Sequence, residues 1–210
     1  WEVSPKGDVY TFHLRKGVKW HDGRPFTAED VKYSLDRIIL QPAGMRSSPG
    51  KANYTAVSKV EAVDVNTVKV TLKYPNASFL AMAANGRDLI VPKHILEAEG
   101  QMVLTKKVVG TGPFKFKEYM RGVSTEGVRN PDYFVKDRPY LDGYKFLIIP
   151  DPSARLAALR TGQIDLIRET PGILPTEVTL LQQTMKDIVI KETPSLTPGL
   201  LLIRWEKEPF

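Results

Sequence analysis

The sequence predicts an α/β protein in two subdomains, and three observations carry that prediction. Before about residue 105, short period-2 strands alternate with helices in a hairpin-rich order. A basic, helix-poor stretch, Lys106–Gly112, then interrupts the chain and ends in Gly110-Thr111-Gly112-Pro113. Beyond it the pattern becomes strand, helix, strand, the order of βαβ units over a sheet of mixed strand direction.

In the first part, Tyr10, Phe12 and Leu14 alternate with Thr11, His13 and Arg15, which is the signature of a half-buried strand. Pro5-Lys6-Gly7-Asp8 supplies the turn that makes residues 1–15 a hairpin. A second turn at His21-Asp22-Gly23-Arg24-Pro25 leads to Thr27, a helix N-cap, with Asp30 as an Asp variant of the capping box. Val31, Leu35 and Ile38 follow at helical spacing and predict one buried stripe. Residues 41–54 are rich in Pro, Gly, Ser and Asn and read as a loop. Val57–Val63 and Val68–Leu72 flank Asp64–Asn66 as a hairpin, and Ala77–Ala84 and Pro92–Glu99 read as short helices.

In the second part, Phe114 and Phe116 alternate with lysines in a strand expected to pair with about 123–129. A strand near Tyr144–Ile149 feeds Asp151-Pro152, an N-cap followed by Pro at the first helical position, and the helix Ser153–Thr161 stops at Gly162. Ile164–Ile167 reads as a short strand, Thr176–Met185 as a helix, and Ile188–Lys191 and Leu200–Ile203 as strands. The expected domains are 1–108, of hairpins plus helices, and 109–210, part of a larger α/β sheet.

Composition narrows the function. The net charge of +6 favours anionic partners in principle, but the 30 basic and 24 acidic residues are interleaved and no nucleic-acid motif is present. Nucleic acid is therefore not an expected partner. With no Cys there is neither a disulfide framework nor thiolate chemistry. No apolar run is long enough to cross a bilayer, and no signal peptide or lipidation motif is visible. Trp1 already lies in strand-like sequence and Glu206–Phe210 has no tail-like composition, so both ends read as cut.

Catalysis finds little support. His21-Asp22 has no nucleophile elbow or Cys to serve, and reads instead as a turn with His21 a surface or packing residue. The three histidines, at 13, 21 and 94, fall in different elements without a ligand pattern, so neither metal nor cofactor is expected. Glu29-Asp30 could be a carboxylate pair, but acids in a first helical turn are explained by the helix dipole. Gly110-Thr111-Gly112 lacks the Gly-Lys-Ser/Thr ending of a phosphate loop. Its glycines read as needed for backbone angles where the chain crosses between subdomains.

Four segments carry a resemblance. They are Tyr10-Thr11-Phe12-His13-Leu14-Arg15-Lys16-Gly17-Val18-Lys19-Trp20-His21-Asp22-Gly23-Arg24-Pro25-Phe26-Thr27-Ala28-Glu29-Asp30-Val31, then Ile90-Val91-Pro92-Lys93-His94, then Gly110-Thr111-Gly112-Pro113-Phe114, and a fourth from Asn130-Pro131-Asp132-Tyr133-Phe134 through Gly162-Gln163-Ile164-Asp165-Leu166-Ile167. In this order and spacing they resemble the family 5 extracellular solute-binding proteins, the peptide/nickel/opine-binding group. The resemblance implies a periplasmic-binding-protein-like fold (type II, with an extra subdomain), of which this chain is a partial lobe I that ends at the hinge to a missing lobe II. It implies a non-catalytic function, capture of a small solute for an ABC importer, in the periplasm or outside the cell, as an anchored lipoprotein in a Gram-positive source.

The partners it implies are a peptide, nickel chelate, opine or oligosaccharide, together with ABC permease subunits in the membrane. It also marks cleft or hinge positions: Asn85, Arg87 and Asp88 in the loop before Ile90, Arg46 in the 41–54 loop, the Gly110, Thr111 and Gly112 crossing, and Arg204 with Trp205. One departure is Arg204, where the family usually carries Asn, which weakens the inference of the usual ligand type there. Two rival readings are a ligand-sensing module of a regulatory protein and a hydrolase using His21 and Asp22.

Overall fold

Alternation at Val9–His13 does produce a strand, and the sheet it joins organises the first half of the chain. The computed structural model describes residues 1–41, 49–84, 86, 88–167 and 175–191. Strands β1 (Glu2–Val3), β2 (Val9–His13), β3 (Val57–Asp64) and β4 (Thr67–Leu72) form an antiparallel sheet in the order β1-β2-β4-β3. The expected turn closes β1 onto β2. Ser4 N–H donates to Val9 O at 2.9 Å and Gly7 sits at φ 71°, a conformation that glycine adopts at little cost.

Helix α1 (Ala28–Leu40) covers this sheet. Its start follows the capping logic: the Asp30 carboxylate accepts from Thr27 N–H at 2.9 Å and from the Thr27 hydroxyl at 3.2 Å. Ile38 is buried, and Val31 and Leu35 pack against the same core, which also contains Tyr10, Val60, Val68, Val70 and Phe79. After a 3-10 turn at Pro49–Tyr54 come the two strands β3 and β4, then the short helix α2 (Phe79–Ala83). Helix α3 (Lys93–Glu99) and a 3-10 turn at Gln101–Thr105 build a second small core from Val91, Ile95, Leu96 and Val103.

One carboxylate joins these layers. Asp30, 5% exposed, also accepts from Lys93 N–H at 3.2 Å, so the starts of α1 and α3 share it. Ser34 adds a second tie: its hydroxyl donates to Asp30 O at 2.7 Å and accepts from Val91 N–H at 2.9 Å.

The later strands are β5 (Phe114–Met120), β6 (Ser124–Arg129) and β7 (Gly143–Leu147), antiparallel in the order β5-β6-β7. The register places Phe114, Phe116 and Tyr119 on the same face as Thr125, Gly127, Tyr144 and Phe146. Gly127 is required here, because a Cβ would lie 2.4 Å from the Tyr144 ring that crosses it. A bulge between Phe116 and Glu118 sets Lys117 aside, and its ammonium meets Glu126 at 3.0 Å while Lys145 meets the same carboxylate at 2.6 Å.

The chain divides into two compact units, Trp1–Ile148 and the residues from Ile149 onward. In the second, helix α4 (Pro152–Arg160) begins as expected: the Asp151 carboxylate accepts from Ala154 N–H at 2.7 Å, Pro152 opens the helix, and Gly162 follows it at φ 71°. Helix α5 spans Pro175–Thr184. The strands expected at 164–167 and 188–191 do not form. Short apolar runs become strands only with a ladder partner, and none pairs with them among the described residues, where both sheets are antiparallel. The strand expected at 200–203 lies outside the described residues.

Candidate functional site

The crossing at Gly110, Thr111 and Gly112 is held from two sides. On one side is the loop between Val18 and Phe26, closed by Phe26 N–H to Val18 O at 2.9 Å and Trp20 N–H to Arg24 O at 2.8 Å, with Gly23 at φ 89°. His21 in this loop donates its backbone N–H to Gly110 O at 2.8 Å. Its ring adds two contacts: Gly110 N–H reaches Nδ1 at 3.2 Å, and Nε2 lies 3.0 Å from Gly112 O. On the other side is Asn130, 2% exposed, whose Nδ2 donates to the same Gly112 O at 3.0 Å and whose backbone N–H donates to Pro113 O at 2.9 Å.

This geometry sharpens one expectation and corrects another. His21 is a packing residue, and its ring joins segments about ninety positions apart. The glycines are not explained by backbone angles. Neither Gly110 nor Gly112 has positive φ, a Cβ at Gly110 would make only ordinary contact with His21 Cε1 at 3.5 Å, and one at Gly112 would meet nothing within 4 Å.

The neighbouring side chains are also paired. His94 Nε2 on α3 lies 2.6 Å from Asp22 Oδ2, and its ring meets Trp20 edge-on. Burial pushes the Asp22 carboxyl up, but the His94 hydrogen bond and the Arg24 N–H, at 3.2 Å, outweigh it and hold the group below the usual carboxylate range. Among the described residues no nucleophilic side chain is hydrogen-bonded to this pair, which ties the loop between Val18 and Phe26 to α3.

Asp88, the other described cleft candidate, packs against the 3-10 turn that ends the 41–54 loop. A Cβ on Gly50 would fall 1.8 Å from its Oδ1, so a side chain there would have to displace the carboxylate. Tyr54 lies close enough to feel the Asp88 charge, and Asn53 Nδ2 reaches Oδ2 at a long 3.5 Å. Burial, with the Asp88 charge added, pushes the Tyr54 phenol up to about 12. Arg46, Asn85, Arg87, Arg204 and Trp205 lie outside the described residues.

Sequence reasoning missed His21, Asn130 and Tyr54 as partners of the marked positions. Asn130 opens Asn-Pro-Asp, so a turn signal was present; for His21 and Tyr54 no local signal exists.

The profile of the bacterial extracellular solute-binding proteins, family 5 (middle), matches residues 1–210. A di/tripeptide-binding protein of Pseudomonas aeruginosa is 34% identical across the whole of this chain, which spans 42% of that relative. A dipeptide-binding protein of Escherichia coli is likewise 34% identical, with the same shares covered. Among solved structures, an ABC transporter-associated periplasmic binding protein from Helicobacter pylori, in complex with a peptide, is 34% identical with a TM-score of 0.77 over 87% of this chain and 38% of that one. The chain thus spans less than half the length of the relatives it matches.

Proposed function

The chain belongs to the family 5 bacterial extracellular solute-binding proteins, and from that premise we propose that the protein captures a peptide or related small solute and delivers it to an ABC importer. The observation that carries the proposal is the match of the family profile and of two peptide-binding relatives along all of the chain. In this reading the protein is not an enzyme and works outside the cytoplasmic membrane, anchored as a lipoprotein in a Gram-positive source. Residues 1–108 are the small subdomain of lobe I, and residues 109–210 are part of its main sheet, leading to the hinge.

Capture needs no reacting group. Two lobes close on the solute, and permease subunits read the closed form. Asp88 and the Gly110, Thr111 and Gly112 crossing form part of one cleft wall, together with Arg46, Asn85 and Arg87, while Arg204 and Trp205 lie at the hinge. The bare Gly112, with open space where a Cβ would be, supports close approach of a ligand to the backbone there.

Calorimetry tests this. The longer protein that contains these residues is titrated with di- and tripeptides, a nickel–histidine chelate and an opine. Saturable one-to-one binding of a peptide is expected. Silence toward the whole panel, or hydrolysis of any member, overturns the reading. The 210-residue chain alone, lacking the opposite wall, should bind the same peptide weakly or not at all, and micromolar affinity would refute that clause.

A further inference from the structure

His21 occupies an unusual position, with both ring nitrogens engaged by backbone groups of one short segment. Gly110 N–H points at Nδ1 at 3.2 Å, so Nδ1 must be the acceptor. The ring proton then resides on Nε2, which donates to Gly112 O at 3.0 Å. With His21 N–H to Gly110 O at 2.8 Å, one residue makes three hydrogen bonds to the crossing. Asn130 completes the arrangement. Its Oδ1 accepts from Asp132 N–H at 3.2 Å, which orients the amide so that Nδ2 faces Gly112 O.

The crossing has little of its own to hold it. It contains two glycines, neither at a restricted left-handed φ nor wedged by neighbours, and such backbone loses much conformational entropy when ordered. We infer that His21 is a positioning residue for this segment, acting with Asn130 as a two-sided grip on the Gly112 carbonyl, and that it grips only as the neutral Nε2–H tautomer. A protonated ring donates from both nitrogens, so its Nδ1–H would oppose the Gly110 N–H and release one bond of the three. The charged and titratable groups on the elements that meet here are Lys19, Asp22 and Arg24 in the same loop, His94 on α3, already bonded to Asp22, with Lys93, Glu97 and Glu99 on that helix, Lys106 and Lys107 before the crossing, and Lys115 after it, 4.0 Å from Asp132 beyond Asn130. The inference concerns this chain's own backbone and stands whether or not the cleft reading does.

The test is NMR on the unmodified 210-residue chain with labelled histidine. At neutral pH, His21 should show a pyridine-type Nδ1 and a protonated Nε2, and on acidification the Gly110 amide proton should shift with the same midpoint as the His21 ring. A protonated Nδ1 at neutral pH, or a Gly110 amide that ignores the titration, overturns the inference. In His21→Ala, hydrogen exchange at Gly110 should accelerate about tenfold or more while Val68 and Val70 in the main core keep their protection. Unchanged exchange at Gly110 refutes it. Should that variant fail to fold, the tautomer and titration measurements decide alone.

Discussion

Replacing Asp30 with Ala should be among the most damaging single changes in the first half of the chain. The side chain is buried and accepts from Thr27 N–H, the Thr27 hydroxyl and Lys93 N–H. Loss of a capping contact costs about 1 kcal/mol. Leaving a partly buried backbone donor such as Lys93 N–H without its acceptor adds about 1–3 kcal/mol. Together these give about 3 kcal/mol. In a chain of this size each kcal/mol moves the midpoint by roughly 2–4 °C, so a fall of about 6–12 °C is expected by calorimetry or circular dichroism. Asp30→Asn, which keeps one acceptor oxygen but turns a donor toward the other amide, should fall between. A shift below about 2 °C for Asp30→Ala would refute the claim that one carboxylate serves both helix starts.

Other perturbations follow from the same contacts. Because the Asp22 carboxyl sits lower in the folded state than in the unfolded one, its contribution is present above the unfolded value of about 3.9 and lost as pH falls through the folded value. Asp22→Asn should therefore flatten the acid limb of stability measured by urea denaturation across that range, and an unchanged limb would contradict the pairing. The Tyr54 phenol, raised to about 12 mainly by burial, should move part of the way toward 10 in Asp88→Asn, as followed by ultraviolet titration. Its contribution to stability is present below about 10 and lost as pH rises beyond it. Gly112→Ala should change stability by less than about 0.5 kcal/mol, whereas Gly23→Ala, at φ 89°, should cost about 1 kcal/mol, both read from denaturation midpoints. Gly127→Ala should cost about 1–3 kcal/mol by displacing Tyr144, with the loss visible in near-ultraviolet dichroism.

Local chemistry was the legible part of the sequence. Thr27 with Asp30, Asp151 with Pro152 and Gly162, and the Pro5–Asp8 turn each act within a few residues, so spacing alone identifies them. Long-range ties were invisible, because nothing near His21 announces Gly110 and nothing near Tyr54 announces Asp88. The same blindness misread Ile164–Ile167 and Ile188–Lys191, whose apolar runs suit a strand but whose pairing depends on partners elsewhere. It also assigned Gly110 and Gly112 to a need for glycine's backbone angles, which their φ values do not support. Motif order identified the family; geometry then supplied the partners of the marked residues.

The bulge at Lys117 has a consequence for how β5 can vary. Side chains before it and after it follow opposite phases of the pleat, and only that offset brings Tyr119 to the side of Phe114 and Phe116 and leaves Glu118 on the other. Removing Lys117 would restore a regular ladder and leave both faces as they are, since Glu118 already pairs with Glu126 and Tyr119 with Thr125. The place of a deletion thus matters more than its length: at the bulge the ladder absorbs it, whereas losing Lys115 would turn Phe114 to the face opposite Phe116, like a frameshift written in three dimensions.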